Sequence, residues 1–457
     1  MPRKVAACTL VAALACLACA PARAARRAHV AVDPARVGQT VPRSFLGLSV
    51  EWDSVEHYVA GRRAAALARL LAPLARSQRG LALRLGGDSA DASWWNPSRH
   101  RRPRIVLHDL TGRTLDAAAA LARAAGNGPV TPGVNLALRD PGNALALVRA
   151  LRARLPAGSL DAVELGNEPD LYAVPRTFRV PGAVHRRLRK HARYDPRAYG
   201  RDVARYLGVL RSGLRPVPGF AVAGFARPNW WPFVPELLDR WRGRARVLSV
   251  HMYALPYCNA PPPPSAWLMS REASRGLAAK LTPIRRLAQR RGLALRVTEL
   301  NSAVCGGRRG ISDRFTSAVW LADMLFALVD RDVRQVDVHT WDHALYAPFA
   351  VRGDRVHARP VFTGMRAFAR AAPAGSRLVA TRVTGGVRAR ATRDAAGTVR
   401  VALIAPRRAS VNVTVPRRRC TVVWIASTRG ARTGRCARSL RLPARSLAVV
   451  VFGQART

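Results

Sequence analysis

Two glutamates carry the chemistry open to this sequence. Glu168 sits in Val163-Glu164-Leu165-Gly166-Asn167-Glu168-Pro169, where an apolar run gives way to Asn-Glu-Pro. Glu299 ends a second apolar run, Leu295-Arg296-Val297-Thr298-Glu299, far downstream. A strand that stops in an acid delivers a carboxyl group to the loop side of a sheet. In a (β/α)8 barrel that side is where residues from several strand ends converge. Two carboxyl groups across one cleft are what cleavage of a glycosidic bond requires. One protonates the departing oxygen and the other attacks the anomeric carbon, with a separation of roughly 5–5.5 Å for net retention. Counting strands puts Glu168 at the end of the fourth and Glu299 at the end of the seventh, so Glu168 is assigned as general acid/base and Glu299 as nucleophile. Their proximity keeps one protonated until the covalent intermediate removes the other's charge.

The elements that must position this pair follow the pace of βα units. Candidate barrel strands are 45–51, 81–85, 130–137, 162–166, 220–224, 247–253, 293–299 and 336–341, with helical stretches at 62–75, 115–125, 144–154 and 317–328 between them. Asp195-Pro196 and Thr282-Pro283 mark helix starts, with Pro in the first turn. After about Arg370 the pattern shortens to alternating segments at 378–384, 387–392, 399–404, 411–415, 421–426 and 447–452, which predict an antiparallel β-sandwich. The expected fold class is therefore α/β, a (β/α)8 TIM barrel with a C-terminal antiparallel β-sandwich. Its divisions are residues 1–24 as a signal peptide, 25–43 as a segment whose strand 29–32 pairs with the β-domain, 44–370 as the barrel and 371–457 as the β-domain. A chain of 457 residues holds both, since a barrel takes about 250.

Composition narrows the setting. Arg3 and Lys4, the apolar stretch Val5 to Ala20, and Pro21-Ala22-Arg23-Ala24-Ala25 have the layout of a secretory signal, so export is expected. Cys258, Cys305, Cys420 and Cys436 remain beyond it, an even number, and the expected pairs are Cys420–Cys436 and Cys258–Cys305. No later segment has the length of a membrane span. The formal charge of +49 invites a polyanion-binding reading, but only three of the 76 basic residues are Lys and the arginines run the whole length. That uniformity excludes a nucleic-acid patch as the main expectation. One local exception, His185-Arg186-Arg187-Leu188-Arg189-Lys190-His191, is either a solvated face or an attractor of acidic saccharide. No His/Cys cluster has metal-ligand spacing and no phosphate-cradling Gly loop follows a strand, so neither metal nor organic cofactor is expected.

Leu165-Gly166-Asn167-Glu168-Pro169 resembles the acid/base segment of clan A glycoside hydrolases. Within that clan the chain is most similar to glycoside hydrolase family 79, which includes β-glucuronidases and heparanase. The stretches that carry the likeness are Phe45-Leu46-Gly47-Leu48-Ser49-Val50-Glu51-Trp52, Leu83-Arg84-Leu85-Gly86-Gly87-Asp88-Ser89 and Glu299-Leu300-Asn301-Ser302-Ala303-Val304-Cys305-Gly306-Gly307. The resemblance implies that Asn167 hydrogen-bonds the sugar 2-hydroxyl, that Tyr253 orients the nucleophile, and that Glu51 and Asp88 accept from outer sugar hydroxyls. His251 and Tyr253 alternate with Met252 and so face the barrel interior together, His251 either at the sugar or in the core.

For a uronate ring, relatives use one phenol and backbone amides after the nucleophile and a second phenol after strand eight. Here Gly306 and Gly307 keep the backbone and Tyr346 offers the second phenol, but Val304 stands in the first Tyr position. Trp94-Trp95, Trp230-Trp231 and Trp341 either stack on sugars or pack loops. The expected activity is that of an exported β-glycosidase acting on an oligo- or polysaccharide, a β-glucuronide first. A neutral glucoside or xyloside is the alternative sugar, and a non-catalytic polyanion-binding protein the alternative role.

Overall fold

The computed structural model describes residues 26–180, 183–241, 243–258 and 261–454; the expected signal peptide lies outside them. Its centre is a closed barrel of eight parallel strands: Leu46–Glu51, Ala82–Gly86, Val130–Val134, Ala162–Leu165, Gly219–Val222, Val247–Leu255, Ala294–Ala303 and Gln335–Thr340. They are joined in chain order, and the last pairs with the first from Val336↔Leu46 to Thr340↔Val50. The fold expectation holds, strand for strand. Each strand is buried on both faces, which is why the sequence shows apolar runs rather than alternation.

Helices cover the barrel because their apolar stripes recur at helical spacing. Arg63–Gln78 buries Leu67, Leu71 and Leu74, and Pro141–Arg152 buries Ala144, Leu147, Val148 and Leu151. Asp140 and Asp195 cap their helices by accepting the N–H groups of Asn143 and Ala198, each just before a Pro. Helix Phe315–Val329 is buried all round, since helix Pro360–Ala371, the short helical turns Ser265–Met269 and Glu272–Gly276 and barrel strand Ala294–Ala303 enclose it. Among the described residues, no helix is long and apolar enough to cross a membrane.

The second unit is a single nine-stranded ladder, antiparallel except at one place. Strand Arg26–Thr40 runs antiparallel to Arg377–Thr384 and parallel to Ala409–Thr414, so the start of the described chain sits inside the C-terminal sheet. One face, carrying Ile404, Trp424, Leu447 and Val449, joins the barrel's hydrophobic core. The other forms its own cluster around Val30, Val401, Val411 and Val450. Two strands escaped the sequence pattern. Gly430–Gly434 is exposed throughout and carries no apolar alternation, and Leu440–Leu442 is too short to show a period. Both disulfides, Cys258–Cys305 and Cys420–Cys436, pair as expected. The first ties the loop after strand six to the loop after strand seven.

Close packing inside the barrel gives a direct test. A Cβ on Gly47 would lie 2.1 Å from Asp337 Oδ1 and 2.7 Å from the Ala82 carbonyl, whereas one on Gly208, within helix Pro196–Gly213, meets nothing within 4 Å. Gly47→Ala should lower the urea-unfolding free energy by about 1–3 kcal/mol. Gly208→Ala should raise it by roughly 0.5–1 kcal/mol.

Candidate active site

The fourth strand ends at Leu165, and the next three residues turn the chain across the barrel mouth. Gly166 has φ +76°, and a side chain there would collide with the Tyr172 hydroxyl 2.5 Å away. Glu168 is itself left-handed, with φ 47° and ψ 55°. Such a conformation costs a non-glycine residue of order 1–2 kcal/mol and persists only where its surroundings hold it. Here the Glu168 N–H donates to the Gly224 carbonyl at 2.9 Å, and its carbonyl accepts from Leu171 N–H at 2.9 Å. Asp91 fixes the turn from below. It accepts from Asn167 N–H at 2.7 Å, Tyr172 Oη at 2.6 Å and Lys190 Nζ at 3.4 Å on one oxygen, and from the Leu136 and Ala137 amides on the other. Lys190, the end of the basic run, is thus turned inward on an ion pair rather than into solvent. Asp170 ties in the next loop by accepting from the Ala226 and Arg227 amides. Burial first, then the charge of Glu168, pushes Asp170 up to about 6.

Glu299 enters the same space from strand seven. The register between strands six and seven slips after Val250↔Val297, so that His251 pairs with Glu299 and Tyr253 with Asn301. An irregularity of this kind re-aims side chains at a barrel rim. The result brings together the two acids that sequence spacing picked out. One oxygen of Glu168, one oxygen of Glu299 and a His251 ring nitrogen all lie within 4.8 Å of one another. His251 Nδ1 is 3.1 Å from Glu168 Oε1 and 3.8 Å from Glu299 Oε2.

Arg84, on strand two, is fully buried and holds this arrangement in place. Its Nη1 donates to Glu299 Oε1 at 2.6 Å and to Ser49 Oγ at 3.0 Å, its Nη2 to Asn167 Oδ1 at 2.7 Å, and its Nε to Glu164 Oε2 at 2.5 Å. The Asn167 amide is held at both ends, since its Nδ2 donates to Asp88 Oδ1 at 3.2 Å. On the other oxygen of Glu299, Tyr253 Oη donates at 2.7 Å. The same phenol oxygen is 2.7 Å from His339 Nδ1, and Tyr346 Oη is 3.0 Å from that nitrogen. Tyr346 is therefore buried against His339.

Glu51 does something other than the resemblance implied. It is 4% exposed. Its Oε1 accepts from Asp88 N–H at 3.0 Å and lies 3.1 Å from His339 Nε2; its Oε2 accepts from the Ser89 amide at 2.8 Å and from the Ser89 hydroxyl. Only a glycine at 87 permits this, because a Cβ there would sit 2.1 Å from Glu51 Oε1. Glu51 braces the site from beneath, while Asp88, half-buried, faces the mouth.

The electrostatics separate the two central acids. Burial alone would push Glu299 upward, but His251, His339 and Arg84, with the Tyr253 hydrogen bond, outweigh it and hold its carboxyl well below the usual carboxylate range. Burial opposes charge on both His251 and His339. The opposing pull of Glu299, joined by Glu168 for His251 and by Glu51 for His339, raises both above the ordinary imidazole value. At the rim, burial and then the charges of Glu51, Asp342 and Asp88 push Asp53 up to about 7.

Among the described residues, Glu168, His251 and Glu299 are also the one group with donor atoms close enough for a metal ion. Arg84 already occupies Glu299 Oε1, and a second cation there would face a buried guanidinium. The donor set fits proton transfer and nucleophilic attack better than metal binding.

The remaining sequence candidates divide. Gly306 has φ +78° with open space where a side chain would point, and its carbonyl accepts from Leu345 N–H. Val304 is half-buried, with its amide bound to the Leu255 carbonyl. Trp341 packs against the cluster of Ala344, Tyr346 and Ala347, on which Tyr253 also packs. Trp230 is core, against Tyr199 and Phe225, and the Trp94 indole donates to Asp109. Sequence reasoning assigned no role to Arg84, Asp91 or His339. The first was visible as a lone charge in the otherwise apolar strand Ala82–Gly86, and the last as a lone imidazole following Val336 and Val338.

No family model matches the chain, and no curated protein does. Solved structures do. A 4-O-α-L-rhamnosyl-β-D-glucuronidase from Fusarium oxysporum superposes with a TM-score of 0.69 at 16% identity, over 92% of this chain and 99% of that one. A family 51 α-L-arabinofuranosidase from Bifidobacterium longum gives 0.66 at 15% identity, over 94% and 100%. A family 44 xyloglucanase from Paenibacillus polymyxa gives 0.63 at 11% identity, over 94% and 100%. At these identities the likeness establishes the shared fold.

The Arg84 cluster predicts a pH-dependent stability defect. Arg84→Gln leaves Glu164 and Glu299 buried without their cation, which should cost about 3–5 kcal/mol near neutral pH. A depressed carboxylate stabilises the fold above its unfolded value, about 4.3, and that contribution fades as pH falls toward the folded one. The gap between wild type and variant in denaturant midpoint should therefore narrow below about pH 4. A gap constant with pH would show that charge is not the cause.

Proposed function

We propose that this chain is a retaining β-glycosidase with Glu299 as nucleophile and Glu168 as general acid/base. The observation that carries the reading is the pair of carboxyl groups, with oxygens within 4.8 Å, of which Glu299 accepts from the buried Arg84 guanidinium. That spacing suits direct attack and leaves less room for an intervening water than the roughly 6.5–9.5 Å typical of inversion. The Glu299 carboxylate attacks the anomeric carbon while the proton on Glu168 passes to the departing glycosidic oxygen. Glu168, then ionised, takes a proton from the incoming water, and the ester bond to Glu299 breaks with its electron pair returning to the carboxylate. Asn167, fixed by Arg84 and Asp88, is placed to bind the sugar 2-hydroxyl, where hydrogen bonds strengthen as charge develops. Trp341, packed against the cluster around Tyr346, offers a stacking face.

A β-glucuronide is the favoured glycone. In support, Gly306 and Gly307 keep a left-handed loop after the nucleophile strand, with open space beside Gly306, and Arg308, whose Nη2 donates to the Tyr257 carbonyl, follows in the same loop. The glycosidase likeness of the solved structures, one of them a glucuronidase, supports the reaction class. A neutral glycone is the second reading, favoured by the acidic rim of Asp53, Asp88 and Asp342 and by Val304 in place of a phenol. Two disulfides support export into an oxidising compartment.

Wild-type protein should cleave an aryl β-glucuronide with retention, seen by NMR of the first-formed anomer, and faster than the matched β-glucoside or β-xyloside. Glu299→Ala and Glu168→Ala should each lose activity by at least about a thousandfold. Added azide should restore turnover in a nucleophile variant with the opposite anomer as product. Full activity in either folded variant would falsify the assignment, and preference for the β-glucoside or β-xyloside would select the second reading.

A further inference from the structure

We propose that His339 is a positioning residue for the nucleophile: a doubly protonated imidazole, fixed by Glu51, that aims the Tyr253 phenol at Glu299 and faces that carboxylate as it re-forms. The proposal rests on Glu299 as the nucleophile, and the argument is a proton inventory. Glu51 accepts from the Asp88 amide, the Ser89 amide and the Ser89 hydroxyl, the pattern of an ionised carboxylate. A nitrogen 3.1 Å from its Oε1 must therefore carry a hydrogen, and that nitrogen is His339 Nε2. On the other side, Tyr253 has one proton and places it on Glu299 Oε2, 2.7 Å away. The phenol oxygen is also 2.7 Å from His339 Nδ1. Two lone pairs do not meet at that distance, so Nδ1 carries a hydrogen as well. Tyr346 Oη, 3.0 Å from Nδ1, is then a second acceptor for the same hydrogen.

The groups facing the ring agree with its charge. Glu299 from strand seven and Glu51 from strand one favour the imidazolium, while burial and Arg84 from strand two oppose it; the balance lies on the protonated side. Tyr253 from strand six and Tyr346 after strand eight are neutral phenols, both held well above their ordinary value.

This charge acts differently in the two steps. Before attack, the imidazolium helps keep Glu299 ionised, with Nδ1 3.5 Å from Oε2. Once the oxygen–carbon bond to the sugar forms and the bond to the leaving group breaks, Glu299 is a neutral ester and loses that attraction. In hydrolysis the water oxygen bonds the anomeric carbon, its proton goes to Glu168, and the ester electron pair returns to Glu299. The imidazolium is then opposite a carboxylate that is re-forming. Its largest effects fall on ionisation of the free nucleophile and on the second step.

The test uses the full chain with His339→Gln and Glu51→Gln. Each should raise the acidic limb of kcat/KM by about 1–3 pH units, the effect of losing one close opposite charge. The double variant should add little to either single one. Stopped-flow with an activated aryl glycoside should show a burst in His339→Gln that is absent or smaller in wild type, as hydrolysis of the intermediate slows by roughly tenfold per unit. Separately, nitrogen-15 histidine spectra near neutral pH should show one residue, identified by its loss in His339→Gln, with both ring nitrogens protonated. A singly protonated His339 overturns the proposal whatever the kinetics. So does an unmoved acidic limb in variants whose circular dichroism and labelling of Glu299 by a fluorinated glycoside match wild type. Activity surviving in Glu299→Ala would instead overturn the reading beneath it.

Discussion

A guanidinium sealed inside a barrel needs anions around it, and the structure supplies them from two strand ends. Arg84 reaches Glu164 and Glu299, with Asn167 and Ser49 completing its shell. Desolvating such a charge is repaid only when geometry and partners are nearly complete. That requirement fixes strand two against strands four and seven, and with them the acid-bearing ends of both. Positioning of Glu299 and stability of the barrel interior are thus one constraint. The interior of this barrel is ionic where many are filled by branched apolar side chains.

The Glu168 side is held by different means. Glu168 sits on a loop in a left-handed conformation, and loops of that kind are stable only through backbone anchors. Two aspartates provide them, Asp91 buried and Asp170 half-buried. Asp91 gathers five donors from the loops after strands three and four, and Asp170 crosses to the loop after strand five. Glu299 depends on side chains arriving from neighbouring strands, Glu168 on main-chain geometry. His251, in contact with Glu168 and 3.8 Å from Glu299, joins the two systems.

What could be read in advance follows from this division. The barrel strands were legible because each is a short apolar run between helical stretches, and Glu168 and Glu299 because an acid ending such a run is conspicuous. Tyr253 was legible from alternation with Met252. Arg84 showed only as a lone charge in an apolar strand, a signal that composition masks because Arg is common everywhere in this chain. His339 and Asp91 act through partners distant in sequence, Glu51 and Asn167, and only closure of the barrel brings them together. Glu51 shows the converse. It stands where the resemblance implied a sugar contact, but Gly87 lets the chain approach so closely that both its oxygens are taken by protein donors.

In the proposed reaction the two carboxyl groups differ in role because their surroundings differ, not because of any difference between the residues. Cationic or hydrogen-donating groups reach Glu299 from strands two, six and eight, which suits a group that must be ionised before attack and leave easily afterward. Glu168 has His251 Nδ1 at 3.1 Å and Asp170 as a nearby acid, so its surroundings mix both signs of charge. In the proposed reaction, attack comes from strand seven, and the sugar's leaving group lies toward the loop that carries Glu168.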